Sequence, residues 1–330
     1  MKKPIVTTLA VLSTALLFSA PPALAQQGAV TQWHANAQTL IASFTGRGNA
    51  AQAYTMALIQ AAVYDATVAV RGADSKNKRP AKPFIADIAA PAGADLNAAI
   101  ASAAFRVGYE RVNSNPTARS NYSNAYNAYL AAIPDGQAKT DGIAVGEATA
   151  QAVLAARSKD NFYNTSTYSN PAANPGVWQS VLAATPYATA GANDYAMAFT
   201  MPLSASSPDA RRIKPPPRLT SGKYRRDFEE TKAYGSLTST TRTPAMTNVV
   251  QFWTESGFTL WSRNVRDIVS ARGLDEFEAA RALAAFSVAT GDAMLACFES
   301  KYAHMFWRPW QGIQRADQDG NPRTHPEPAW

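Results

Sequence analysis

Apolar residues recur at intervals of three and four along most of this chain, and strict apolar–polar alternation is rare. That period belongs to helices with one buried face. It predicts helices over residues 33–44, 50–70, 96–112, 118–132 and 140–157. Gly142, Gly146, Ala148 and Ala150 on the last of these leave room for a close neighbour. From Asp160 to about Thr243 the period lapses, and Pro171, Pro175, Pro186, Pro202, Pro208 and Pro215–Pro216–Pro217 interrupt any long element. Helix returns over 245–261 and 265–272. A last helix opens at Asp275, with Glu278 three residues on as a capping box, and runs towards Arg308. The pattern gives an all-α fold, a helical bundle with a long irregular Pro-rich middle region. That region exceeds ordinary loop lengths, so it should pack on the helices.

The first residues change the picture of location. Lys2 and Lys3 precede an apolar run from Ile5 to Ala20, then Pro21–Pro22 and the small-residue site Ala23–Leu24–Ala25. Residues 1–25 therefore read as a secretion signal, and residues 26–330 as a single helical domain of a secreted or periplasmic protein. No later stretch reads as a membrane span. A single cysteine, Cys297, excludes an internal disulfide framework, and its apolar helical setting suggests a buried small hydrophobe. The formal charge of +7 falls to +5 without Lys2 and Lys3. The basic run Arg211, Arg212, Lys214, Arg218, Lys223, Arg225, Arg226 is broken by prolines and followed by acids, which fits a solvated face and not a nucleic-acid surface. The three histidines His34, His304 and His325 show no zinc spacing.

The candidate chemistry lies at the foot of the last helix. Lys301 and Arg308 are seven residues apart, close to two helical turns, so a continuous helix would project both from one face. Pro309 then stops or kinks the helix. Two aligned cations suit an oxyanion, although basic residues in a last helical turn also complement the helix dipole. Asp292 and Glu299 repeat the seven-residue spacing, and Glu299 reads as a surface acid. His304 beside this face could assist an anion, and reads more readily as a partly buried structural histidine.

Lys301, six intervening residues and Arg308–Pro309 resemble the first of three motif blocks of the vanadium-dependent haloperoxidase and type 2 phosphatidic acid phosphatase superfamily, in its bacterial haloperoxidase-related branch. Trp33, Tyr64–Asp65–Ala66, Arg157 with Asp160, Pro175–Gly176–Val177–Trp178, Pro215–Pro216–Pro217 with Leu219–Thr220–Ser221, and Arg242–Thr243 extend the resemblance. So does the run Ala280–Arg281, Asp292–Ala293, Lys301–Tyr302 and Trp307–Arg308–Pro309. The resemblance implies a helical bundle with one pocket for vanadate or phosphate, in which Lys301 and Arg308 bind equatorial oxygens. It implies hydrogen peroxide and a halide as substrates of a haloperoxidase, or a phosphomonoester in a secreted acid phosphatase. An oligomer is compatible with it.

The sequence departs from the family in one respect. It contains no P-S-G-H block and no S-R block followed by a spaced histidine. The resemblance therefore implies a bundle incomplete at its C-terminus, with Asn321, Thr324 and Pro328–Ala329–Trp330 as the approach to the second block. No catalytic residue is identifiable, and a non-catalytic chain is the third reading. A hydrogen bond to a charged group contributes about 1.5–3 kcal/mol, so two cations supply about 3–6 kcal/mol against an association cost of at least about 4 kcal/mol. Two donors alone predict millimolar or weaker anion binding.

Overall fold

The computed structural model describes residues 28–44, 46–72, 81–166, 168–179 and 194–330. The signal expected over 1–25 lies outside them. The helices are α1 (Ala29–Ala42), α2 (Asn49–Gly72), α3 (Leu96–Arg111), α4 (Pro116–Ala131), α5 (Gln137–Ala156), α6 (Gly222–Gly235), α7 (Pro244–Phe252), α8 (Gly257–Ala271), α9 (Glu276–His304) and α10 (Pro309–Gln314). A 3-10 turn covers Tyr195–Phe199 and another Ala316–Gln318. No strand occurs among the described residues, so the all-α reading holds.

Local chemistry starts these helices where the sequence marks them. Asp95 Oδ1 accepts from the Ala98 amide at 2.7 Å, Asn115 Oδ1 from Ala118 at 3.0 Å, and Asp275 Oδ1 from Glu278 at 2.8 Å. Glu276 adds a cap from the far end of the sequence. Its two carboxylate oxygens accept from the Ala29 and Val30 amides at 2.7 and 3.0 Å, setting a negative charge on the positive end of α1.

The core is built around α2, which is apolar and buried on nearly every side. It packs most extensively on α9 and then on α3, while α3 packs on α5. Glycines permit the closest approaches. A methyl group at Gly146 would overlap the Ala99 carbonyl oxygen, and one at Gly291 would meet the Ala57 Cβ at 3.0 Å. The small residues expected to bring a neighbour close to α5 do so.

Two buried carboxylates fasten loops to this frame. Asp65 on α2 accepts from the amides of Phe84, Ile85 and Ala86. Asp160 accepts from Tyr54 Oη at 2.8 Å, Arg111 Nη2 at 3.0 Å and its neighbour Phe162 N at 2.9 Å, and Arg157 donates to Tyr54 Oη and the Pro202 carbonyl. These contacts account physically for Tyr64–Asp65–Ala66 and for Arg157 with Asp160.

The structure corrects six expectations. The segment 160–243 contains α6, a strongly charged helix capped by Ser221 that buries only Tyr224 and Phe228. The helix expected over 245–261 is two, α7 and α8, separated at residues 253–256. The last helix ends at His304, not near Arg308, because Met305 takes a left-handed conformation (φ 47°) and its amide closes onto the Lys301 carbonyl at 3.0 Å. Cys297 is exposed, since it lies on the outer face of α9. Glu299 is buried, held by Arg212. Both α2 and α9 are long and apolar enough to cross a membrane, which corrects the reading that no later stretch qualifies. Of the most apolar window of each, 89% of α2 and 44% of α9 is buried inside the protein. α2 is thus a core helix, and α9 keeps one face in the core.

Candidate functional site

The foot of α9 is a junction. After the left-handed turn at Met305 the chain runs antiparallel to residues 176–178: Trp178 N donates to the Met305 carbonyl at 2.7 Å and Trp307 N to the Gly176 carbonyl at 2.9 Å. Two separate pieces of the family-like sequence, Pro175–Gly176–Val177–Trp178 and Trp307–Arg308–Pro309, thereby lie side by side. Gly176 has φ +83°, a conformation that favours glycine, and Leu219 closes over it. Arg308 then begins α10. Its amide donates to Gln311 Oε1 at 3.0 Å and Pro309 occupies the first helical position. Gln311 Nε2 reaches the Gln179 carbonyl at 2.9 Å and ties α10 to the same segment.

Lys301 and Arg308 therefore do not share one helix face. They belong to two helices joined by a turn, and the fold still brings their charges together. The Lys301 ammonium is half-buried, and its pKa is held below the usual lysine value first by burial and then by the Arg308 guanidinium. Cys297 and Asp194 act in the opposite direction. The ammonium lies 4.7 Å from the Phe298 ring centre and 5.3 Å from that of Tyr302, both within cation–π range. Among the described residues no carboxylate forms an ion pair with Lys301 or Arg308.

Aromatic rings wall this corner. Tyr302 meets Tyr195 edge-on at 4.9 Å, and Tyr168 packs on Trp178, Tyr195 and Tyr302. Burial, followed by the Asp194 charge, pushes the Tyr302 phenol up to about 12. Asp194 itself is buried in a left-handed conformation (φ 51°), and its Oδ1 accepts from the Gly48 amide at 2.9 Å. Asp194, Tyr168 and Tyr195 fall in the aperiodic middle region and were not legible in the sequence.

The other candidates serve the scaffold. Asp292 accepts from the amides of Leu203 and Ser204, both at 2.7 Å, and fastens the middle region to α9. Glu299 accepts from Arg212, Ser300 Oγ accepts from the Ile213 amide at 3.0 Å, and His304 Nε2 donates to the Ile213 carbonyl at 2.8 Å. One residue of the basic run is thus an anchor, and His304 has the structural role expected of it. His34 is buried against Arg266, and His325 is exposed. Beyond α10, Asn321 Nδ2 donates to the Leu219 carbonyl at 2.9 Å and holds the tail onto that segment, while Thr324 Oγ1 donates to Asp319 at 2.6 Å and closes a turn within the tail.

Vanadate or phosphate fits this corner in charge. The Arg308 charge acts on a partly desolvated Lys301, and among the described residues no carboxylate is ion-paired with either cation, which leaves a positive field suited to an oxyanion. An imidazole free to bond a metal is not among the groups gathered here, because His304 is committed to Ile213.

No protein-family model matches this chain, and no curated protein matches it. Among solved structures, a bacterial vanadium-dependent iodoperoxidase is similar at 17% identity over 88% of this chain and 72% of that one, with a TM-score of 0.69. The fold is of the vanadium haloperoxidase type.

Proposed function

We propose that Lys301 and Arg308 are the cationic half of a vanadate site in a haloperoxidase-type enzyme whose substrates are hydrogen peroxide and a halide. The observation that carries this reading is the pair itself: two cations in each other's field, one half-buried, with no ion-paired acid among the described residues. The likeness to a vanadium-dependent iodoperoxidase supports it. Lys301, fixed by the left-handed turn at Met305, and Arg308, fixed at the start of α10, would hold the anion's oxygens. Bound vanadate would supply Lewis-acid activation of peroxide. In the overall reaction peroxide oxidises the halide by two electrons and is itself reduced to water.

These 330 residues contain neither the P-S-G-H nor the S-R block that the resemblance associates with acid–base and metal-bonding histidines. We therefore infer weak anion binding and no turnover from them alone. Vanadium-51 NMR of the chain with vanadate tests this. The expected result is a dissociation constant of about 1 mM or weaker, from two charge-assisted contacts, raised further by Lys301→Met. Micromolar stoichiometric binding that survives Lys301→Met would overturn the assignment. Iodide, bromide and chloride oxidation is the activity assay. Hydrolysis of p-nitrophenyl phosphate that vanadate inhibits, without halide oxidation, would select a phosphomonoesterase. The reading also has the protein exported on residues 1–25, and a mature periplasmic chain beginning near Gln26 is the N-terminal sequencing result it requires.

A further inference from the structure

Next to Tyr302, α9 and the Tyr195–Phe199 turn form a half-open cavity of about 350 Å³ whose chemistry runs in the opposite sense. Its walls include the rings of Tyr195, Phe199 and Tyr302, and its charged groups are Asp209, Arg212 and Glu299. Two carboxylates against one guanidinium leave it a net negative charge. The volume lies within the range that takes a small organic molecule.

Glu299 makes the cavity specific. It is 95% buried by its 5% relative exposure, and both Arg212 nitrogens that reach it, Nε and Nη2, bond to Oε1. Its Oε2 is buried and has no hydrogen-bond partner among the described residues. A buried carboxylate oxygen without a donor is costly, and such groups are normally satisfied by protein, water or ligand. Glu299 lines the cavity wall beside Arg212, whose side chain is 46% exposed and comes from the middle region. Asp209 lies at the exposed edge, where its Oδ1 accepts from Ser207 Oγ at 2.6 Å.

We propose that this cavity binds a small organic ammonium ion with an apolar or aromatic body. The N–H groups would donate to Glu299 Oε2, the positive charge would face the rings of Tyr195, Phe199 and Tyr302, and Asp209 would add attraction at the rim. An anion meets two carboxylates, and a neutral alcohol loses the cation–π contact. This proposal does not depend on the vanadate reading.

The probe is phenethylammonium chloride, compared with 2-phenylethanol and 3-phenylpropionate of similar size, by calorimetry and saturation-transfer NMR on the full chain without vanadate. The ammonium should bind about tenfold or more tightly than either comparison compound, as one charge-assisted contact predicts. Glu299→Gln should remove about that factor. Because Glu299 also holds Arg212, circular dichroism checks that the variant folds. Asp209→Asn and Phe199→Ala, both at exposed positions, should each weaken binding about threefold. Equal binding of the alcohol, or wild-type affinity in both Asp209→Asn and Phe199→Ala, would overturn the proposal.

Discussion

Mild acid should destabilise this fold through one buried histidine. His34 on α1 is fully buried, and its Nδ1 faces Arg266 Nη1 at 3.1 Å. Arginine can only donate, so Nδ1 must accept and the ring must be neutral. Burial, reinforced by the Arg266 charge, lowers the pKa from 6.5 to about 3. The folded state therefore binds its proton less readily than the unfolded chain. Stability is complete above the unfolded pKa and falls as pH drops from 6.5 towards 3. Linkage between those values gives a loss of about 2 kcal/mol at pH 5 and about 3 kcal/mol at pH 4. Comparison with His34→Gln isolates the effect of the histidine from that of the carboxylates, among which burial raises the Asp65 pKa. Urea unfolding followed by tryptophan fluorescence at pH 7 and pH 5, for wild type and His34→Gln, measures it. Wild type should lose about 2 kcal/mol over that interval and the variant little. An equal loss in both would show that His34 is not buried neutral against Arg266, and the reasoning would fail.

Other tests address the frame and the surface. Gly146→Ala should cost about 1–3 kcal/mol in unfolding free energy, because the added methyl overlaps the Ala99 carbonyl on α3 and the helices must part. Asp160→Ala should cost about 3–5 kcal/mol by thermal or urea unfolding, since it strands the buried Arg111 guanidinium and the Tyr54 hydroxyl. Val249→Lys with Phe252→Lys should change stability by less than about 1 kcal/mol and reduce self-association in light scattering, because α7 buries nothing. Cys297 should react fully with a thiol reagent in the folded protein, whereas slow reaction would contradict its exposure.

What the sequence revealed follows from the range of the forces involved. Helical periodicity found α2, α3 and α5 to within a few residues, since each buries a stripe or more of apolar surface. It missed α6, which buries two rings and is otherwise charged, so its helical signal lies in the Ser221 cap and in Lys223–Asp227 spacing. It ran α7 into the first turn of α8 and put the break after residue 261, because apolar residues continue through Trp253, Phe258, Leu260 and Trp261 past the turn at residues 253–256. Cys297 and Glu299 were each assigned to the wrong side of α9. Composition suggests a buried cysteine and an exposed glutamate, but Arg212, 87 residues earlier, overrides that for Glu299.

The site shows the same division more sharply. Seven-residue spacing aligned Lys301 with Arg308 on a helix that ends between them. The left-handed residue Met305 cannot be read from a pattern of apolar positions, since methionine is not a usual choice there. Lys301 still lies within the field of Arg308, with Trp307 bonded to Gly176 and the start of α10 fixed by Gln311. A turn does what a continuous helix was expected to do. Under the proposed reading, an oxyanion would be held between two elements, the foot of α9 and the start of α10, each fixed by its own turn.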